Sequence, residues 1–352
     1  MSEFRHDPLT DRWVVISPER AVRPFDSFRN SDYKDKPDPC PFCPGKEDKT
    51  PVPEIFAVLK NGEFRHSISD RSLINSDWLT RVVPNKYPVL KPEARLSRKG
   101  IGVFDKISGV GAHEIFIESQ EHTAEISVLS LQQVIIILTT IRLRMNDLEK
   151  DSRFRYLSLY KNKGESAGAS LEHPHWQLNA LPIVPSEVVR ELQTSKIRYD
   201  EKERCLICDI LSQEIESSER VIEANEAFVV LAPFASRFAG ELFIAPSPDS
   251  HHYSFLGADN QTIETLASVL QRTLTRLIKK YNDPDYNITL HTAPFFRRRK
   301  NNSGETIKED YHWHFHILPR IGKIAGFEFG TDCFINTVPP EEVAQLLREA
   351  AV

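Results

Sequence analysis

The sequence predicts an α+β fold built twice in tandem, each unit an antiparallel sheet with helices packed on it, and three observations predict it. Two Cys-x-x-Cys pairs, Cys40/Cys43 and Cys205/Cys208, open two stretches of the same order. The run Glu114-Ile-Phe-Ile-Glu118 recurs as Glu241-Leu-Phe-Ile-Ala245, an offset of 127. A cluster of alternating histidines closes each stretch, His173-Pro-His175-Trp-Gln177 in the first and His312-Trp-His314-Phe-His316 in the second, at an offset of 139. Self-similarity is sought before fold is argued, because missing it misassigns the whole chain. A single Glu-φ-Phe-Ile match would be chance; several features in one order are not. At roughly 100–200 residues per domain, 352 residues hold two, and the repeat divides them into 1–195 and 196–352.

Taken in order, each unit passes from its cysteine pair through strands to one helix. Residues 131–147 read as that helix in the first unit, with Ser130 and Gln133 placed as a capping box. Its counterpart, 262–281, opens near Asp259 and stops before Pro284, which cannot continue a helix. Short β-like runs follow, Arg155-Tyr-Leu-Ser-Leu-Tyr160 and Tyr286-Asn-Ile-Thr-Leu-His291, then a polar loop, then the histidine strand. Strands bunched before and after one helix favour an antiparallel sheet covered on one face. The second polar loop is longer, which widens the offset at the histidines.

Charge and composition exclude several classes. With 45 Lys+Arg against 50 Asp+Glu, a net of −5, the chain is not a polybasic nucleic-acid binder. No stretch approaches the roughly 20 apolar residues of a membrane span; the longest, around 134–141, is broken by Thr139 and Thr140. The start, Met1-Ser-Glu-Phe-Arg-His-Asp-Pro8, lacks the apolar core of a secretory signal. A cytoplasmic protein with neither membrane nor nucleic acid as partner is expected. Disulfides are improbable in a reducing compartment, so four of the five cysteines need another use. A redox motif is one option, yet neither pair ends an apolar strand that opens a helix. Cys40-Pro-Phe-Cys43 instead lies among Pro37, Pro39, Pro41 and Pro44. Two half-sites for zinc, each awaiting histidines, is the preferred reading.

In an extended strand side chains alternate, so His173, His175 and Gln177 should point the same way, roughly 6.5–7 Å apart. Pro174 cannot donate to a ladder, which suits a strand end where a site can open. The preceding loop, Asn162-Lys-Gly-Glu-Ser-Ala-Gly-Ala-Ser170, supplies backbone N–H groups, Lys163 and two hydroxyls, as an anion cradle would.

With these residues in view, the chain resembles the galactose-1-phosphate uridylyltransferases of the histidine-triad superfamily, whose active-site signature is His-Pro-His-x-Gln. The resemblance spans nearly the whole chain. It includes Asp11-Arg-Trp-Val-Val-Ile-Ser17-Pro-Glu-Arg20-Ala-Val-Arg23-Pro24, Cys40-Pro-Phe-Cys43, Val83-Pro-Asn85-Lys-Tyr87-Pro88, Glu121-His122, residues 162–177 and Gly326-Phe-Glu328. The second half meets the superfamily pattern His-φ-His-φ-His-φ-φ at His312-Trp-His-Phe-His-Ile-Leu318.

The resemblance implies two histidine-triad-like units and a covalent mechanism. His175 would attack the α-phosphorus of a nucleoside-diphosphate sugar, releasing a hexose 1-phosphate, and a sugar 1-phosphate or phosphate would then take the nucleotide. Gln177 and Ser170 would hold the phosphoryl oxygens. Arg20 and Arg23 would lie near the phosphates, Asn85 and Tyr87 in the nucleoside pocket, and Asn162, Lys163, Gly164 and Glu328 among the substrate contacts. A homodimer is implied, because family sites borrow tail residues from a neighbouring chain. Two zinc ions are implied as well, one on Cys40, Cys43, His122 and His173. By the internal repeat, the second would sit on Cys205, Cys208, His252 and His312. Members without the second cysteine pair hold a different metal there, such as iron, through histidines like His291, His314 and His316 and a glutamate like Glu191.

The chemistry has its own logic: a neutral imidazole is a competent nucleophile, and covalent capture divides one transfer into two in-line displacements. Gln177 cannot pass a proton near pH 7, which favours transfer over the nucleotide hydrolysis of other histidine-triad proteins. UDP-glucose with galactose 1-phosphate is the first expectation, being the commonest activity of the family. Two departures point instead to the branch containing ADP-glucose phosphorylase. Lys86 stands where well-known uridylyltransferases have Asp, and no Gln follows closely after Gly326-Phe-Glu328.

Overall fold

The computed structural model describes residues 1–22, 40–70, 72, 74, 77–295 and 306–350. The first half contains β1 (Glu3–Asp7), β2 (Arg12–Ile16), β3 (Glu54–Leu59), β4 (Phe64–Ile68), β5 (Trp78–Pro84), β6 (Arg98–Ile101), β7 (Phe104–Ile107) and β8 (Ala112–Ile117). Helix α1 (Leu131–Glu149), β9 (Tyr156–Lys163), β10 (His175–Leu181) and α2 (Ser186–Lys202) complete it. The second half runs α3 (Leu206–Ser217), β11 (Val221–Ala224), β12 (Phe228–Leu231), β13 (Leu242–Pro246), α4 (Asn260–Tyr281) and β14 (Tyr286–His291). It ends with α5 (Ile307–Asp310), β15 (His314–Pro319), α6 (Gly326–Thr331), β16 (Phe334–Asn336) and α7 (Pro340–Arg348).

Among the described residues, eleven strands form one antiparallel sheet in the order β11-β12-β13-β15-β14-β9-β10-β8-β5-β3-β4. Outward from the junction of β9 and β14, the first half reads β9-β10-β8-β5-β3 and the second β14-β15-β13-β12-β11. The same order appears twice, so the α+β fold of two tandem units is the one observed. Residue 195 falls inside α2, and the halves share one sheet and, on its helix-covered face, one apolar core.

Both long helices cover the same face. Val134, Ile137, Leu138, Ile141 and Met145 of α1 recur at helical spacing and are buried, as are Ile263, Leu266, Leu270, Leu274 and Leu277 of α4. They pack on each other, on Trp176 and Phe315 from the sheet and on Trp313 just before β15. The N-cap of α1 is as expected, Ser130 accepting from the Gln133 backbone N–H at 3.2 Å. The reciprocal half of the capping box is not formed. The Gln133 side chain instead donates to the Leu79 and Glu118 carbonyls at 2.8 and 2.7 Å, which ties the helix to the sheet.

Strand register corrects the repeat by one residue. Gln177 lies opposite Ile115 and His316 opposite Phe243, so Ile115 matches Phe243 at an offset of 128, not 127. A one-residue slip turns every side chain to the other face. Accordingly Glu114 faces α1, bonded by Arg144 at 2.8 and 2.7 Å, whereas Glu241 faces the opposite side beside His316 at 3.4 Å.

Beneath β10, on the helix face, Lys161 is fully buried opposite Trp176. Its ammonium lies 2.6 Å from Glu118 and 3.0 Å from Glu125, and Tyr286 from the second half donates to Glu125 at 3.2 Å. A buried ion group thus spans the junction.

Candidate active site and metal centres

β10 begins at His175, not at His173, and β15 begins at His314, not at His312. Three histidine-cluster groups on one strand face were expected in the first half; the structure leaves two there, His175 and Gln177. The residue between the two histidines is bonded outside the ladder in both halves: the Pro174 carbonyl accepts from the Glu118 backbone N–H at 3.2 Å, and the Trp313 N–H donates to the His252 carbonyl at 3.1 Å.

His175 is 5% exposed, and its Nδ1–H donates to the His173 carbonyl at 2.8 Å. That bond fixes the tautomer and leaves Nε2 with a lone pair. Burial lowers its pKa to about 4, the nearby Lys161 charge adding to the effect and the carbonyl bond opposing it. The imidazole is therefore neutral near pH 7. The ring edge of Phe42 packs against it, centroids 5.3 Å apart.

A cavity of about 900 Å³ opens here, lined by Val83, Asn85, Tyr87, Ile115, Ser170, His175 and Gln177 and by the Cys40–Cys43 loop. Its volume suits a bound small molecule of nucleotide-sugar size. The Gln177 carbonyl oxygen accepts from the Tyr160 hydroxyl at 3.1 Å and lies 3.0 Å from His113 Nε2.

Cys40, Cys43, His122 and His173 converge, their ligand atoms all within 4.8 Å of one another. A tetrahedral zinc with bonds of about 2.0–2.3 Å sets its ligands roughly 3.3–3.8 Å apart. Cys43 Sγ lies 3.3 Å from His122 Nδ1 and 3.7 Å from His173 Nδ1, and Cys40 Sγ lies 3.8 Å from His173 Nδ1. The His173 Nε2–H donates to the Ser119 carbonyl at 2.9 Å, which points the Nδ1 lone pair at the thiols. These residues fit the metal.

In the second half the fourth member is His251, correcting His252. His251 Nδ1 lies 3.2 Å and His312 Nδ1 3.5 Å from Cys208 Sγ, and His251 Nε2 bonds the Lys308 carbonyl at 2.9 Å. His252 is turned away: its ring stacks on Tyr253, centroids 5.5 Å apart, and closes over Gly257, where a Cβ would stand 2.6 Å from it. Adjacent residues face opposite sides, and sequence spacing alone does not say which faces the thiols.

A third cluster coexists with these two. Glu191, His291, His314 and His316 offer ligand atoms within 4.8 Å of one another. Glu191 Oε1 lies 2.6 Å from His291 Nδ1 and 3.7 Å from His314 Nε2, and Tyr311 donates to Oε2 at 2.9 Å. Burial pushes the Glu191 carboxyl up, but the two histidines outweigh it and hold it well below the usual range. His314 Nε2 and His316 Nδ1 are buried without hydrogen-bond partners. A carboxylate with orphaned imidazole nitrogens is the donor set of a cation.

Residues 104–184 match the N-terminal domain of a family described only as a domain of unknown function, DUF4931. Over its whole length the chain is similar to better-characterised proteins. The ADP-glucose phosphorylase of Arabidopsis thaliana is 34% identical over 99% of this chain and 93% of its own. The chain belongs to the galactose-1-phosphate uridylyltransferase family. The Thermotoga maritima enzyme of that name is 28% identical over 100% of this chain and 99% of its own. A crystal structure of the Arabidopsis phosphorylase with bound ADP-glucose superposes with a TM-score of 0.81 at 33% identity, covering 100% and 99% of the two chains.

As a member of this family the protein is an enzyme, a nucleotidyltransferase acting on a nucleotide-sugar and phosphate type of substrate. Among the described residues no helix is long and apolar enough to cross a membrane. Of the expected site residues, the cavity gathers Cys40, Cys43, Asn85, Tyr87, His122, Ser170, His175 and Gln177. Asn162, Lys163 and Gly164 are not in its lining, because they bind the second half. Asn162 accepts from Asn287 at 2.8 Å, and Lys163 pairs with Asp283. Gly164 has a φ of +83° and presses on Asp285, where a Cβ would meet a carboxylate oxygen at 1.7 Å. Arg20 lies in the middle of a short helical turn at 18–22 and is not in the lining, and Arg23 lies outside the described residues, as does the basic run 297–300. Glu328 closes on the backbone N–H of Ala325 at 2.9 Å in α6 and is not in the cavity lining. His113 and Tyr160 were not anticipated; each becomes visible only when the strands are brought together.

Proposed function

We propose that the protein transfers an adenylyl group from ADP-glucose to inorganic phosphate through a covalent intermediate on His175. The observation that carries the covalent route is the buried, neutral His175, Nδ1 tied to a backbone carbonyl, in a cavity it shares with Gln177. In the first step the Nε2 lone pair forms a bond to the α-phosphorus, the bond to the bridging oxygen breaks, and glucose 1-phosphate leaves. In the second, an oxygen of phosphate attacks that phosphorus and the P–N bond breaks, releasing ADP and a neutral imidazole. The His173 carbonyl, accepting from Nδ1–H, stabilises positive charge on the ring while it is substituted. Gln177 would donate to the phosphoryl oxygens and Ser170 would lie beside it.

Two observations support the adenylyl choice over the uridylyl transfer first expected. The phosphorylase resembles this chain more closely than the uridylyltransferase does, at 34% against 28%. Lys86 in the cavity lining replaces the acidic residue of the uridylyl branch. Labelled ADP-glucose with phosphate should release glucose 1-phosphate and ADP, at least about 100-fold faster than UDP-glucose with galactose 1-phosphate yields UDP-galactose. The opposite ranking would restore the uridylyl reading, and hydrolysis of either donor without acceptor would favour a hydrolase. A homodimer accompanies this reading, in which Glu328, absent from the lining of its own cavity, would serve a second copy of the chain.

Zinc is proposed at both Cys₂His₂ clusters, where its role is to cross-link cysteine loop and histidine strand rather than to react. Metal analysis should give about two zinc per chain, with any further cation attributable to the Glu191 cluster. His251→Ala should lose close to one equivalent and His252→Ala none. Equal retention by both variants would remove the second centre.

A further inference from the structure

We propose that His113 is a positioning residue that locks the Gln177 amide with its oxygen turned inward and its NH₂ turned to the cavity, presetting the phosphoryl donor. The proposal rests on the nucleotidyl-transfer reading and deepens it.

His113 lies in β8, 8% exposed, opposite Asn179 and on the same sheet face as Gln177. Its Nδ1 accepts from the Val89 backbone N–H at 3.4 Å, so the neutral ring carries its proton on Nε2. That Nε2 lies 3.0 Å from Gln177 Oε1 and donates to it. A second donor reaches the same oxygen by a directional chain. Asn179 Nδ2 donates to the Tyr160 hydroxyl at 3.2 Å, which leaves the Tyr160 proton to donate to Gln177 Oε1 at 3.1 Å. Two converging donors fix which end of the amide is oxygen, and the nitrogen then faces the cavity that Gln177 lines.

The inverted amide would present a carbonyl oxygen to the phosphoryl oxygens, repelling charge where the transition state accumulates it. His113 also abuts the nucleoside end of the cavity. Asn85 Nδ2 is 3.0 Å from the same Nε2, which has no lone pair in this tautomer, and Asn85 Oδ1 is already bonded by the Tyr87 N–H at 2.8 Å. The Asn85 NH₂ is thereby left as a donor for the nucleotide. One ring thus stands between the two ends of a single cavity; it sets the Gln177 amide, while the Tyr87 N–H orients that of Asn85.

The test uses the full-length protein and isosteric logic. A glutamine at 113 carries an NH₂ near the position of Nε2, an asparagine near that of Nδ1. In single-turnover reactions with saturating ADP-glucose, His113→Asn and His113→Leu should form the His175 adduct roughly 10- to 100-fold more slowly, with KM within about threefold. His113→Gln should recover most of the rate. Equal loss in the Gln and Asn variants, or a change in KM alone, would overturn the proposal. An activity-independent readout keeps it decidable if His113→Leu folds poorly. The ¹⁵N chemical shifts of His113 in the unsubstituted protein should report the Nε2–H tautomer, and an Nδ1–H tautomer would overturn the proposal outright. Absence of any adduct in the unsubstituted protein with ADP-glucose or UDP-glucose would overturn the nucleotidyl-transfer reading instead. The tautomer would then decide the His113–Gln177 bond alone.

Discussion

His175→Ala is expected to lower turnover by about 10⁴-fold or more, since a covalent route has no substitute for its nucleophile. Incubated with ADP-glucose or UDP-glucose and no acceptor, the unsubstituted protein should gain the mass of one nucleoside monophosphate. Like other phosphoramidates, the adduct should be lost in acid. The alanine variant should gain nothing. Its stability should change little beyond the cavity left by the ring, because His175 makes one side-chain hydrogen bond, to a carbonyl at its own strand entrance. An adduct that survives the substitution would move the nucleophile to another residue and dismantle the mechanism proposed above.

Lys161→Met is expected to cost about 3–5 kcal/mol of folding free energy, because it strands Glu118 and Glu125 without their cation. Glu118 is fully buried; burial pushes its carboxyl up and Lys161 pulls it down. Without the lysine the folded-state pKa rises further above the unfolded value near 4.3. A group raised in this way keeps its stabilising contribution below the unfolded pKa and loses it as pH climbs through the folded one. The variant's deficit should therefore be larger at pH 8 than at pH 5 in urea unfolding. Glu118→Gln in the same chain should recover part of it. A deficit below about 1 kcal/mol at pH 8 would mean that water reaches these groups.

Chemistry concentrated in short motifs was legible before the structure. His175, Gln177 and both cysteine pairs stand in runs whose residue types have few structural uses, and the tandem units follow from the order of those runs. What stayed hidden depends on which way a side chain turns. Glu114 and Glu241 align in sequence and face opposite sides in the sheet, since a slip of one residue preserves the motif while inverting the geometry. The same ambiguity exchanged His251 for His252, two neighbours in a loop with no periodicity to orient them. His113 stands beside the motif used to detect the repeat, yet a lone histidine in a strand has meaning only through its cross-strand partners. Lys163 looked like a phosphate ligand by its loop and turned out to pair with Asp283, 120 residues away.

The junction of β9 with β14 has a consequence for how such a chain could have arisen. Either half alone would end in a bare strand, eight residues long at β9 and six at β14, with a row of unpaired backbone donors and acceptors that recruits other chains. Joined, each strand silences the other, so neither half of the one polypeptide needs a second chain to cover that edge. Once the halves are covalently linked, selection no longer has to keep them alike. One copy can retain a glutamine beside its central histidine and the other can place a third histidine there, each drifting toward its own trade.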